Sequence, residues 1–485
     1  MGGTLKWAVG YDTDGIDPAG RTLSLGGTGQ GAREIYNGLI QYDPDTQKLL
    51  PELAKEWAVS PDGKEITFKL QPNVKFHDGT PFNAAAVKFH FERITGITDS
   101  KYVGRFRNNF LQIANVEVVD DLTAKFVLKK PQASLLSFLG DGSGYITSPA
   151  AVQKFGDAYQ KNPVGTGPMK IKEWTKDLRM VLEKNPDYFE KDAAGNKYPY
   201  LDSIVFTPIP DASVQIANVR TGTMDFADEI APAEVAKVKA DTSLVYYEKP
   251  SFGQETLYPM YDKPPFDNQA CREAFFGAID KAAISKAVYF DVSKPAETII
   301  SPASAYFDPA TKGVPFDLNR AKQKLKECGK PDGFDVKIHT MTLPRIQQRM
   351  EAIQAQVKKI GINLELVLLD ITGVLAERTK FNGMAIYEGS YSDPVHYMGN
   401  FQCDNPGNWE KICDPQLEKL YADAEAAVDF NKRKAIVQDI AKYLSHTPWM
   451  WPVVHNPQNA ISLKKVKGYR PGPQITQQFK WVWIE

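Results

Sequence analysis

The sequence predicts an α/β fold in two halves, with an α+β segment in the first. Three observations carry this reading. Strand and helix patterns alternate both over residues 1–254 and from about Glu255 onward, which argues for βαβ units in each half. Residues 43–160 hold paired strands with one helix and read as an α+β segment. No internal repeat or low-complexity linker separates the parts, so strands must cross any boundary, as suits a hinged protein.

The chain opens with a strand, Thr4 to Val9, a loop rich in Gly and Asp, and a short helix near Ala32–Gly38. Ser60-Pro61-Asp62-Gly63 is turn chemistry, with proline presetting φ and glycine taking a positive φ. Ile66, Phe68 and Leu70 then alternate with Thr67 and Lys69, the period of a half-buried strand. A helix is expected over Ala84–Arg93, and strands over Ile113–Val119 and Thr123–Leu128. Pro163 to Trp174 reads as a Gly/Pro turn feeding a strand. The strand Ser203–Pro208 precedes a helix from Ala212 to Arg220, with Gly222 just beyond its end. In the second half, helices Asn268–Ala278 and Ala282–Val288 come first. The strand Val336–Thr340 leads to a long helix with Met350, Ile353, Val357 and Ile360 on one face. Gly361 ends it and the strand Ile362–Leu369 follows.

With 485 residues the chain exceeds one core and suggests two to four domains. The 58 basic and 59 acidic residues give a formal charge of −1, so nothing predicts a nucleic-acid partner, which needs a basic face. No run of 18 apolar residues predicts a transmembrane helix. The opening MGGTLKWAVG lacks a charged region followed by an apolar one, so no signal peptide is read there. Either a cytoplasmic protein or an exported chain whose signal was replaced by an added Met1 fits that start.

The wording of LAKEWAVSPDGKEITFKLQPNVKFHDGTPF, Leu53 to Phe82, resembles the signature of the family 5 solute-binding proteins of ABC importers. NPDYF at Asn185–Phe189, PYLDSIVF at Pro199–Phe206, RTGTMD at Arg220–Asp225 and QAQVKKIGINLEL at Gln354–Leu366 extend the resemblance over nearly the whole chain. It implies the two-lobed periplasmic binding protein fold (class II, cluster C-like) with an extra inserted domain. Domain I would combine 1–42, 162–254 and 455–485; domain II, the insertion, would be 43–161; domain III would be 255–454. It implies a monomeric receptor that is not an enzyme and needs no cofactor. The receptor captures a small-molecule solute between lobes and delivers it to a membrane permease. Its place would be the periplasm, or the outer face of the membrane as a lipoprotein. It also favours the exported reading of the N-terminus.

Four cysteines are present and none forms a CxxC pair. Cys403 and Cys413 bracket a short polar loop, and several members of the resembled family carry a cysteine pair in this segment. A Cys403–Cys413 disulfide is therefore expected, two free thiols being the alternative. Whether Cys271 and Cys328 also pair is left open.

No two of the six histidines sit three or four apart, so no local zinc site is written. Asp12, Asp14 and Asp17 lack the glutamate a calcium loop requires. There is no GxSxG or HExxH signature. The loop containing Gly26, Gly27 and Thr28 lacks a P-loop ending and reads as a turn whose backbone can approach a ligand. The segment that should decide the ligand is Tyr387-Glu388-Gly389-Ser390-Tyr391-Ser392-Asp393, before Pro394. It resembles the family's aromatic-x-x-Asp-x-x-Asp/Glu-Pro segment. Ser390 stands where peptide-binding members grip the α-ammonium with an acid, and a hydroxyl offers no such charge. Glu388 could take over. Tyr258 and Tyr261 are candidate ligand-facing aromatics. Met341 and Arg345 follow a strand aimed at the site, and Arg345 suits a carboxylate or phosphate. The ligand expected is a non-peptide or atypical peptide such as an oligosaccharide, opine-like conjugate or organic acid. A di- or oligopeptide is the alternative, and a cleft hydrolase a remoter one.

Overall fold

A computed structural model describes residues 2–20, 27–97, 106–228, 230–342, 344–377, 379–388, 392–405, 408–474 and 477–485. The chain divides into two compact units, residues 1–249 with 458–485, and residues 250–457.

In the first unit, β1 (Thr4–Val9) alternates exposed and buried residues before Trp7, Ala8 and Val9 sink completely. A four-stranded antiparallel sheet comes next, from β2 (Ala54–Val59), β3 (Glu65–Leu70), β4 (Ile113–Asp120) and β5 (Thr123–Leu128), ordered β2-β3-β5-β4. Gly63 closes the β2–β3 turn at φ 69°, its N–H donating to Ser60 O at 2.9 Å. The helix Ala84–Thr95 covers this sheet. Asn83 caps its start by accepting the Ala86 N–H, and Val87, Phe91 and Ile94 form its buried stripe.

The larger sheet of this unit adds β6 (Met169–Thr175), β7 (Arg179–Lys184), β8 (Ser203–Pro208) and β9 (Phe226–Asp228). β1 runs parallel to β8 on one side and to β9 on the other, and β8, β7 and β6 form a meander. Trp7 is the centre of its core, with ring centroids of Phe206, Phe226 and Phe479 at 4.9, 5.2 and 4.5 Å. The helix expected over Ala32–Gly38 stops at Ile35. Tyr36 turns extended there, because its buried hydroxyl bonds Ile16 O at 2.8 Å and the Tyr159 hydroxyl at 3.1 Å.

β10 (Leu244–Pro259) passes out of the first unit into the second. There β11 (Asp335–Met341) lies parallel to β12 (Asn363–Leu369) and to β13 (Gly383–Glu388), and β13 pairs antiparallel with β10. β14 (Trp451–Leu463) returns the chain to the first unit, where Phe226 of β9 pairs with Ser462. The helix Pro344–Val357 turns Ile346, Met350, Ile353 and Val357 into the core of the second unit. Gly361, at φ 87°, ends the following turn as expected. Cys271 and Cys328, and Cys403 and Cys413, lie at disulfide distance, Sγ–Sγ 2.34 and 2.07 Å. No helix of the described residues is long and apolar enough to cross a membrane.

Candidate functional site

Open α/β sheets bind ligands outside the carboxyl ends of their parallel strands, where loops diverge. In the second unit β11, β12 and β13 share one direction, so Met341, Leu369 and Glu388 mark one carboxyl edge. The register of β10 places Gln254 opposite Glu388 and Glu255 opposite Tyr387 at that edge.

Glu255 is fully buried and gathers partners from three helices and strands. Arg345 Nε donates to its Oε1 at 3.1 Å, Arg349 Nη1 to its Oε2 at 3.0 Å, and Asn456 Nδ2 to Oε1 at 3.4 Å. The Tyr289 hydroxyl also donates to Oε2. Burial, then the Glu255 charge, holds that phenol well above its ordinary pKa. The two arginines stand four apart on one helix face, which is why one carboxylate reaches both. Arg345 keeps 41% of its side chain exposed, while Arg349 keeps none.

Several buried polar atoms here have no hydrogen-bond partner. They are both amide atoms of Gln254, Nε and Nη2 of Arg349, and Oγ of Ser392. Buried polar groups are rarely left so, and each costs about 1–3 kcal/mol unless something satisfies it. Asp393 is 1% exposed and bound by Arg433, whose Nη1 and Nη2 reach it at 2.6 and 3.2 Å. Its Oδ1 also accepts the Val395 N–H at 3.0 Å. Asp393 thus braces the segment, with its carboxylate already committed.

The structure distributes the other candidates unevenly. Met341 ends β11 at the edge, half-buried, and Arg345 follows it. Tyr258 pairs with Met384, about 13 Å along β10 from Gln254. It packs in a core with Met260 and Val395. Tyr261 stacks edge-on against Trp449 at 5.6 Å and beneath Arg272 at 4.7 Å. Both tyrosines make packing contacts, farther along the chain than Gln254. Tyr387 and Glu388 are the last residues of β13, described by backbone alone. Gly389, Ser390 and Tyr391 lie outside the described residues, as does Gly26. Sequence reasoning missed Gln254, Glu255 and Arg349. The available signal was Arg349 itself, a charge on the apolar stripe of its helix.

In the first unit, β1, β8 and β9 end together at Val9, Pro208 and Asp228. Gly27 and Thr28 open a 3-10 turn, Gly27–Gly31, whose Gln30 donates to Asp228 Oδ2. Trp7 Nε1 donates to Asp228 Oδ1 at 3.2 Å. Gln30 Oε1 is buried without a partner. The glycine loop therefore joins a second carboxyl edge, on which an acid, an amide and an indole converge.

The sequence profile of the "Bacterial extracellular solute-binding proteins, family 5 Middle" matches residues 48–409. The chain belongs to this family. The dipeptide-binding protein of Escherichia coli K12 is 29% identical, over 99% of this chain and 95% of that protein. The periplasmic binding protein DppA of Helicobacter pylori, solved with the peptide STSA, superposes with a TM-score of 0.88 at 26% identity, covering 100% and 98% of the two chains. AgaA of A. tumefaciens R10, solved with agropinic acid, gives 0.87 at 26% identity, covering 100% and 99%. The fold is the two-lobed one of periplasmic binding proteins, and this family 5 chain is a solute-binding protein of ABC importers.

Proposed function

We propose that this receptor binds a small solute, and that the carboxyl edge within each unit carries candidate ligand-binding residues. It hands the solute unchanged to its permease outside the cytoplasmic membrane. The observation that carries this reading is the set of buried, unpartnered polar atoms of Gln254, Arg349 and Ser392 at one edge, and of Gln30 at the other. Buried polar atoms at strand ends are groups that a ligand's hydrogen bonds can satisfy. The candidate residues within 1–249 are Gly26, Gly27, Thr28, Gln30 and Asp228; those within 250–457 are Gln254, Met341, Arg345 and the segment Tyr387 to Ser392. Domain I is 1–42, 162–254 and 455–485, domain II is 43–161, and domain III is 255–454.

The ligand is a non-peptide or an atypical peptide. Relatives of comparable similarity are solved with a peptide and with agropinic acid, so fold does not decide between them. Ser390 supports the non-peptide side. An ammonium buried against a hydroxyl alone loses several kcal/mol, enough to erase useful affinity. The test is native mass spectrometry of protein purified from an exporting host, followed by gentle unfolding. One released small molecule, recovered chemically unchanged, is expected. Conversion of that molecule by fresh protein would replace the receptor with an enzyme. Ordinary dipeptides as the released species would restore the peptide reading.

A further inference from the structure

The first unit gathers three carboxylates near one small cavity, and one of them is incompletely bound. Glu52 commits both oxygens, Oε1 to Asn37 Nδ2 and Oε2 to the Gly38 N–H, each at 2.8 Å. Glu190 accepts from Lys480 at one oxygen and from Gln41 Nε2 at the other, at 3.2 Å. Glu34, 1% exposed on the short helix Ala32–Ile35, commits only Oε1, which accepts the Phe479 N–H at 2.8 Å. Its Oε2 is buried with no hydrogen-bond partner. That carboxyl lines a cavity of about 10 Å³, room for one water molecule, with Asn37, Glu52, Pro168, Tyr188 and Lys480 around it. An ionised carboxylate so buried, with one oxygen unbonded, is costly, and a proton removes that cost. Phe479 in turn packs on Trp7, ring centroids 4.5 Å apart, and Trp7 Nε1 donates to Asp228.

We propose that Glu34 is a proton-operated latch: protonated, it holds the C-terminal segment 477–485 against Trp7, and loss of the proton lets that segment open. In the closed form the Oε2 hydroxyl donates into the cavity, where one water can accept it. Burial holds the carboxyl up to about 7, with the Phe479 N–H, Arg33 and Lys480 pulling it partway back. The charged or titratable groups of this cluster, among the described residues, are Arg33 on the same helix, Glu52, Tyr145, Tyr188, Glu190, and Lys480 on the latched segment itself. Opening exposes Glu34 to water and returns it toward its ordinary 4.5, so the closed form binds the proton more tightly. The latch is therefore firm in acid, and that firmness is lost as pH rises through about 7.

The experiment is amide hydrogen exchange of the full chain from pH 4.5 to 8.5, read as protection factors at Phe479 and across 477–485. Relative to Glu34→Gln, whose side chain stays neutral throughout, wild-type protection should fall about tenfold per pH unit up to about 7 and then level off. Lys480→Gln removes a charge that favours the carboxylate and should move the levelling point to higher pH. A fall of the same size in Glu34→Gln, or none in wild type, overturns the proposal. Should Glu34→Gln fail to fold, infrared spectra of the wild type decide. A band from a buried protonated carboxyl at pH 6, lost by pH 8.5 with a midpoint matching the levelling of exchange, is expected. Absence of that band at pH 6, or a midpoint elsewhere, overturns the latch.

Discussion

Arg433 grips Asp393 with two nitrogens, at 2.6 and 3.2 Å, where the two side chains are 5% and 1% exposed. Burial alone would lower the guanidinium pKa, but Asp393 and then the Tyr306 hydroxyl raise it above its ordinary value. Removing one partner of such a pair strands the other's charge. Asp393→Asn should therefore destabilise the protein by about 3–5 kcal/mol, read as a shifted urea midpoint. An unchanged midpoint with lost ligand affinity would instead return Asp393 to the binding surface.

Glu34 gives a pH dependence of one sign. Burial pushes its carboxyl up to about 7, against which the Phe479 N–H, Arg33 and Lys480 pull only part of the way back. The folded state then holds a proton that the unfolded state releases near 4.5. Its contribution is full below pH 4.5 and fades as pH rises through 7. At pH 8, Glu34→Gln should be more stable than wild type by about 3 kcal/mol at most, taking 1.36 kcal/mol per unit. Below pH 4.5 the two should match. Parallel denaturation curves at pH 4 and 8 measure the difference.

Two buried histidines act in the opposite sense. Burial lowers His90 to about 3 and His455 to about 4. His90 Nδ1 bonds the Thr147 hydroxyl and His455 Nε2 bonds Thr298 O, both at 3.1 Å. Each stays neutral in the fold while the unfolded chain protonates near 6.5, so stability is present above 6.5 and drains as pH falls. At pH 5 the loss is about 2 kcal/mol per histidine. His90→Gln should flatten the acid limb of the stability curve by that amount relative to its own value at pH 7.5. An acid limb of unchanged slope would show that other groups control it.

The Cys403–Cys413 bridge closes a loop of sequence separation 10, and Cys271–Cys328 one of 57. On chain entropy alone these stabilise by about 2–3 and about 4 kcal/mol. Cys403→Ser with Cys413→Ser should then cost less than the paired change at 271 and 328. Equal or reversed losses, from urea curves of the two double variants, would mean that native-state strain or residual structure controls the outcome.

Much of the fold was written locally. Gly63 needed a positive φ and Asn83 a cap, and both effects lie within a few residues. The site was less legible because its position depends on register. Tyr258 and Tyr261 look as suitable as any aromatics in the sequence. The register pairs Tyr258 with Met384, four residues along the strand from where Gln254 meets Glu388. Arg345 was a candidate in the sequence because it follows a strand end. Arg349 was missed although the stripe of Ile346, Met350, Ile353 and Val357 encloses it. Glu255, the residue that explains both arginines, comes from a strand distant in sequence, and no local pattern links them.

The strand β14 has a consequence for the order in which the molecule is finished. Residues 250–457 contain everything the second unit needs, so it can complete its core as soon as Pro457 emerges. The first unit, though begun first, lacks Ser462 beside Phe226 and Phe479 against Trp7 until the last 28 residues follow, 458–485. At about 5–20 residues per second of synthesis, well over ten seconds separate the Trp7 strand from the ring that seals it. The earliest-made part of the chain is thus the last to close its core.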